Sequence, residues 1–228
     1  MEDKMAKNKS NQRIDDEDII IKNQMEKMVN SYDLYMKRIT LGREDALRKM
    51  TVNLAQIKQG DCVLEIGCAT GSLSLAAKRQ TGEEGSVFGI DIIPGMIEVS
   101  RKKAELANMD VSFQVGNIQD IPFPNEHFDE VMCSFMIFHM SEKVRNNGIK
   151  EICRVLKPNG KLLVLDLALP PNKVSRAILK LFLGFMLKHN LEELKPIMES
   201  SGFSQIEISL AKYRVMGLPL LSYVLGTK

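Results

Sequence analysis

Val63-Leu64-Glu65-Ile66-Gly67-Cys68-Ala69-Thr70-Gly71 reads as a short buried strand running into an acid and a glycine-framed loop. Gly67 and Gly71 permit a sharp turn and a close backbone approach, because no Cβ stands in the way. Residues 72–80 carry a helical pattern, so the free N–H groups at the start of that helix face the same space. The texture then repeats. Short apolar runs at 62–66, 86–90, 111–115, 130–135 and 161–165 alternate with helical patterns at 72–80, 94–108 and 141–156. Such alternation predicts a parallel sheet with helices on both faces. Lys157-Pro158-Asn159-Gly160, with Pro second and Gly fourth, predicts a turn into the fifth strand. A helix over 191–200 and strands near 205–209 and 218–225 bring the sheet to seven strands in an α/β fold.

On the N-terminal side, residues 1–15 are polar and charged and read as a mobile tail. Apolar residues at 21, 25, 28, 32, 35 and 39 step by three and four, which predicts an amphipathic helix, with a break near Asn30-Ser31. Glu44 and Asp45 open a second helix whose apolar face is Leu47, Met50, Leu54 and Ile57. Acids in a first turn suit the positive end of the helix dipole. Residues 16–57 are therefore expected to be lid helices, ahead of one domain over 58–228.

Composition narrows the class. With 228 residues, 44% apolar and 26% charged, the chain is neither collagen-like, low-complexity nor wholly disordered. Its 31 Lys+Arg against 29 Asp+Glu leave +2, which gives no reason to expect a nucleic-acid partner. Cys62, Cys68, Cys133 and Cys153 form no C-x-x-C pair and no zinc-ligand spacing, so no metal site is expected. Reduced thiols and the absence of a signal-peptide run in the first thirty residues predict a cytoplasmic protein. The apolar stretch from Val174 to Leu187 contains Lys180 and is too short to span a bilayer.

In an open parallel sheet, ligands bind beyond the carboxyl ends of the strands, where strand order reverses. Each strand end here offers a polar or small residue: Glu65 and its loop, Asp91, Gly116-Asn117, Ser134 with His139 shortly after, and Asp166. Asp91 has two oxygens with which to accept hydrogen bonds from a ribose. Together with the glycine loop it predicts a nucleoside site. A dinucleotide fingerprint would read G-x-G-x-x-G. This loop reads G-x-x-x-G, and Glu65 two positions earlier would repel a pyrophosphate. An acid there suits a ligand that carries an ammonium group beside a sulfonium, which favours S-adenosylmethionine.

The run from Val63 to Gly71 resembles the first motif of class I S-adenosylmethionine-dependent methyltransferases, and Gly89-Ile90-Asp91-Ile92-Ile93-Pro94-Gly95-Met96 resembles their second. Gly116 to Pro124, Phe128-Asp129 through Ser134-Phe135, and Leu156 to Lys161 are similar to the remaining motifs. Within the class the sequence is similar to the type 11 family, and Tyr32-Asp33 followed by Leu41-Gly42-Arg43 resembles its ubiquinone/menaquinone C-methyltransferase branch. The resemblance implies a Rossmann-like seven-stranded, mostly parallel sheet. It also implies that Glu65, Gly67, Cys68, Ala69, Thr70 and Gly71 meet the methionine part of the cofactor, with Ser134 on that side. Asp91 would take the ribose, Ile92 and Met96 the adenine faces, and Asn117 and Ile118 the adenine edge. Ala69 stands where many relatives have glycine, and Asn117 where Asp is common.

The implied activity is methyl transfer to a small, apolar or aromatic acceptor, leaving S-adenosylhomocysteine. A protein or RNA acceptor is the rival, set back by the lack of a recognition domain or basic stripe. His139 is the candidate base, and Tyr32 and Asp166 are candidates to face the acceptor. A helix over 173–188 places Lys173, Arg176, Lys180 and Lys188 on one arc. It reads either as an amphipathic cap over the acceptor or as a peripheral contact with anionic lipid. A homodimer is left open.

Overall fold

A computed structural model of the protein describes residues 16–167, 191–213 and 221–228. The tail expected over 1–15 and the helix expected over 173–188 lie outside the described residues. Three helices come first: α1 (Asp16–Met28), α2 (Tyr32–Ile39) and α3 (Glu44–Leu54). The alternating unit follows as β1 (Cys62–Ile66), α4 (Ser72–Thr81), β2 (Ser86–Asp91), α5 (Pro94–Leu106) and β3 (Ser112–Val115). It continues with β4 (Phe128–Ser134), α6 (Glu142–Val155) and β5 (Leu156–Leu167), then α7 (Leu194–Ser201), β6 (Ser204–Leu210) and β7 (Leu221–Thr227). The sheet order is β3-β2-β1-β4-β5-β7-β6. The pairs β1–β2, β1–β4, β2–β3 and β4–β5 are parallel, while β7 runs antiparallel to both β5 and β6. This is the seven-stranded, mostly parallel α/β sheet that the motif spacing predicts.

The strands are near-continuously apolar because both faces are covered. On one face Leu64, Ile66, Val131, Val164 and Val224 pack against Ile149, Ile152, Leu194 and Met198 of α6 and α7. On the other, Val63, Met132, Leu163 and Leu225 meet Val52 and Ala55 at the end of α3 and Leu73 and Ala77 of α4. Cys68, Ile97, Ala104 and Phe113 bind α5 to the same layer. Because β2 and β4 flank β1, the chain reverses its winding direction there. A crevice opens at the carboxyl ends of these strands.

The break expected near Asn30-Ser31 is a single 3₁₀ turn, Val29–Ser31, between α1 and α2. The predicted turn over 157–160 takes a different form. Leu156 pairs with Phe128 and Lys161 with Glu130, so the segment enters β5 as a bulge, with Asn159 at φ +65°. The chain end fixes it: Asn159 N–H donates to the Lys228 carbonyl at 3.1 Å, and Lys228 N–H to the Gly160 carbonyl at 2.9 Å. Among the described residues no helix is long and apolar enough to cross a membrane.

Gly89 shows how tightly the site's floor is built. A Cβ there would lie 2.6 Å from the Phe113 ring, itself 5% exposed. Gly89→Ala is expected to cost about 1–3 kcal/mol by overpacking. Denaturant midpoints would show it, and Phe113→Leu in the same chain should recover part of the loss.

Candidate active site

The glycine loop leaves β1 with Gly67 and Gly71 both left-handed, at φ +70° and +78°. Gly67 and Cys68 N–H both donate to the Ile90 carbonyl, at 2.8 and 3.0 Å, so the loop leans on β2 as it turns. A Cβ at Gly71 would meet Phe113 at 2.7 Å and Ser100 at 2.8 Å, which requires glycine for space as well as for conformation. Ala69 is also left-handed, at φ +45°. Its methyl therefore strains the backbone rather than merely tightening clearance.

Asp91 closes the loop from the opposite side. Its Oδ2 accepts the Ala69 N–H and its Oδ1 the Ile93 N–H, both at 2.9 Å. Burial nevertheless pushes the Asp91 carboxyl up. Glu65 is 3% exposed and accepts a hydrogen bond from Ser74 Oγ, from the first turn of α4. Burial raises its pKa to about 7, opposed by the Ser74 hydrogen bond and the Arg48 guanidinium. Both carboxylates are buried, Asp91 adds to the rise at Glu65, and Arg48 is the cation that opposes it.

The N-terminal helix α2 lies against the glycine loop. Tyr32, at the start of α2, is pushed up to about 12 by burial, with Glu65 and Asp91 adding to the rise and Arg48 opposing it. Its hydroxyl stays protonated at neutral pH, so it can donate its proton to one partner while its oxygen accepts from another. Asp33 beside it is clamped. Lys103 Nζ on α5 lies 2.7 Å from Asp33 Oδ2 and donates to Thr70 Oγ1 at 3.0 Å and Ser72 Oγ at 2.9 Å. Thr70 Oγ1 in turn donates to Asp33 Oδ1 at 2.6 Å. This clasp ties α2, the glycine loop and α5 together. Sequence reasoning missed it, since nothing in a 70-residue separation marks Asp33 and Lys103 as partners.

The other expected residues fall into two groups. Ser134 ends β4 with a buried Oγ that makes no hydrogen bond, an orphan facing the same layer as Glu65. Ile92 is 37% exposed at the tip of β2. Met96 is fully buried on α5. Asn117 Oδ1 accepts the Gln119 N–H at 3.0 Å, leaving its amide nitrogen for other use. Cys68 and Ile118 point away: Cys68 packs against Leu75 and Phe113, and Ile118 packs into the α6 face beside Gly148. His139 ends a 3₁₀ turn, Ile137–His139, just above β4. Asp166 lies in register with Ser222, on the face that Val164 shares with α6, so the sheet separates it from Tyr32 and Glu65. Burial raises its carboxyl to about 7.

The donor set fits a cationic nucleoside. Two buried carboxylates whose ionisation is disfavoured gain from a positive ligand, and the orphan Ser134 hydroxyl gains a partner. A pyrophosphate would deepen the penalty on Glu65. Among the described residues no group of acids, histidines and cysteines could hold a metal ion.

Fold and comparisons together give the class, an S-adenosylmethionine-dependent methyltransferase. Residues 63–160 match the family model described as "Methyltransferase domain". The chain is 29% identical over 202 residues to a demethylmenaquinone methyltransferase of Lactobacillus johnsonii, covering 78% of this chain and 82% of that protein. It is 34% identical over 139 residues to the ubiquinone/menaquinone biosynthesis C-methyltransferase UbiE of Neisseria meningitidis, covering 61% of this chain and 56% of that protein. In shape it is similar to a SAM-dependent methyltransferase from Aquifex aeolicus, with a TM-score of 0.65, 17% identity, and 90% and 97% of the two chains covered.

Ala69→Gly should stabilise the ligand-free protein by about 0.5–1 kcal/mol, because relief of the left-handed strain exceeds glycine's extra chain entropy. A chemical denaturation curve read against the parent would check it.

Proposed function

We propose that the protein transfers the methyl group of S-adenosylmethionine to a small aromatic acceptor of the quinol type. The observation that carries this reading is an apolar wall packed beside Tyr32, the residue that also feels the charges of Glu65 and Asp91. Met36, Leu47, Leu165, Tyr213 and Leu221 form an apolar cluster there, flanked by Tyr32, Tyr35 and Phe135. A flat apolar ring suits such a wall better than a peptide or a nucleic acid would. The names of the Lactobacillus and Neisseria relatives point to the same chemistry.

Bound in the pocket, S-adenosylmethionine supplies an electrophilic methyl on a sulfonium. Glu65 and the Gly67–Gly71 loop would hold the methionine end, Asp91 the ribose, and Ile92, Met96 and Asn117 the adenine. Ile118 would contribute through its backbone. Ser134 would give its orphan hydroxyl to the methionine side. Methyl transfer is an in-line displacement, so holding the acceptor in line is the main task of the wall. His139 would take the proton that the acceptor sheds, and Tyr32 would donate a hydrogen bond rather than act as a base.

Calorimetric titration is the direct test. S-adenosylmethionine and S-adenosylhomocysteine should both bind, and absence of binding would refute the assignment. Because Glu65 ionises only near pH 7, affinity should rise about tenfold between pH 5.5 and 7. Glu65→Gln should remove that rise. With methyl-labelled cofactor and cell extract, label should enter the organic-soluble fraction; label in protein or RNA would favour the rival acceptors. Once an acceptor is in hand, His139→Gln is expected to lower kcat by about 10²-fold or more while leaving cofactor affinity unchanged.

A further inference from the structure

The two sides of α2 differ in chemistry. Inward, Tyr32, Tyr35, Met36 and Ile39 pack into the apolar wall. Outward, Leu34, Lys37 and Arg38 are exposed, at the spacing of three and four that puts them on one side of a helix. Leu41 stands just past the helix end, three residues after Arg38. Leu34 is 51% exposed and Leu41 66%.

Nothing in the fold asks for a leucine at 41. It holds the left-handed backbone that ends α2, at φ +53°. Its N–H donates to the Arg38 carbonyl at 3.1 Å, and the Gly42 N–H to the Lys37 carbonyl at 2.7 Å. Glycine or asparagine usually takes this place, because a side chain strains a left-handed residue. A leucine here adds strain and leaves its isobutyl group in water. Neither Leu34 nor Leu41 joins an apolar cluster among the described residues.

Charge on this face has one sign. Among the described residues neither Lys37 nor Arg38 has an ion pair. The acids on either side are taken, Asp33 by Lys103 and Glu44 by Arg48, which leaves only Asp45 beyond them. Two leucines flanking two cations fit an anionic bilayer. The leucines enter the boundary between headgroups and acyl chains, and the long cationic side chains stay at the phosphates. A second copy fits less well, because a two-fold contact would set these cations against one another. An acidic protein would match the charges but not the leucines, which stand apart at the two ends instead of forming one anchor cluster.

We propose that the outer face of α2, with Leu41 at its end, docks on an anionic lipid bilayer. This goes beyond the methyltransferase reading and does not require it. Where both hold, docking brings the helix behind the apolar wall to a surface from which an apolar acceptor can be drawn.

The test is co-sedimentation of the full chain with vesicles of phosphatidylcholine alone and of phosphatidylcholine and phosphatidylserine in equal parts. Binding to the mixed vesicles should be about tenfold or more tighter and should weaken as salt is added. Lys37→Gln with Arg38→Gln should weaken it by about fivefold for each cation removed. Leu34→Ser with Leu41→Asn should weaken it by about tenfold or more. The Tm of Leu41→Asn alone should equal or exceed that of the parent, because the left-handed strain is relieved. No preference for the anionic vesicles, or a preference that both double variants leave intact, overturns the proposal. A fall in the Tm of Leu41→Asn together with lost binding also overturns it, by marking Leu41 as structural. A dimer in the ultracentrifuge that the leucine variants dissolve, without vesicle binding by the parent, overturns it in favour of a second copy. Failure of S-adenosylhomocysteine to bind would refute the methyltransferase reading and leave this one standing.

Discussion

Two oxygens of Asp91 hold two pieces of backbone that would otherwise have no reason to meet. Oδ2 fixes the Ala69 N–H in the loop after β1, and Oδ1 fixes the Ile93 N–H at the start of α5. The loop at Ala69 and the entry of α5 depend on that double acceptor, while the Ile90 carbonyl holds the loop at Gly67 and Cys68 and strand pairing places Glu65. Its location follows from topology. β1 has neighbours wound in opposite senses, so the loop after β1 and the tip of β2 are left facing one crevice. Burial taxes the Asp91 charge while the two N–H groups support it, and a ribose would add donors to lone pairs still available.

The layer above this crevice comes from the N-terminal helices, and it is joined by charge as well as by apolar packing. Lys103 finds Asp33, Thr70 and Ser72 within hydrogen-bonding distance, so α2 is attached to the same loop that Asp91 shapes from below. Val29, in the turn between α1 and α2, sits close enough to Gly95 that a Cβ there would lie 3.3 Å from it. The N-terminal helices are therefore tied to the glycine loop and to the start of α5. Each link is individually modest, since Asp33 and Lys103 remain partly exposed to solvent.

The sheet was legible in the sequence because its strands are short apolar runs bounded by glycine, proline and acids, and the helices between them keep one apolar face. The break at Asn30-Ser31 was legible for the same reason, as two polar residues inside a helical period. The segment over 157–160 was not, because the residue that fixes it, Lys228, lies at the far end of the chain. Motif spacing brought out Glu65, Asp91 and the glycine loop, whose roles derive from local backbone chemistry. Spacing could not say that Asp166 faces the α6 layer, which depends on its register with Ser222. Nor could it show that Ile118 is spent on packing against Gly148, or that two guanidinium nitrogens of Arg145 are buried without a hydrogen bond. Those are outcomes of long-range packing, where charge and periodicity along the chain carry no signal.

Buried acids also give the ligand-free fold a preferred range of acidity. Glu65, Glu130 and Asp166 have folded-state values of about 7, 8 and 7, raised by burial. Each contributes stability that is full below its unfolded value near 4 and is lost as pH rises through the folded value. Asp129 and Glu151 work in the opposite sense. Hydrogen bonds from Lys157 and Arg154 help hold them below the ordinary range, so their contribution is present above about pH 4 and is lost as pH falls through their lowered folded values. The empty protein is thereby most at ease in mildly acidic solution. Above neutrality it carries buried negative charge on both faces of the sheet, and a cation arriving in the crevice would relieve the part that Glu65 holds.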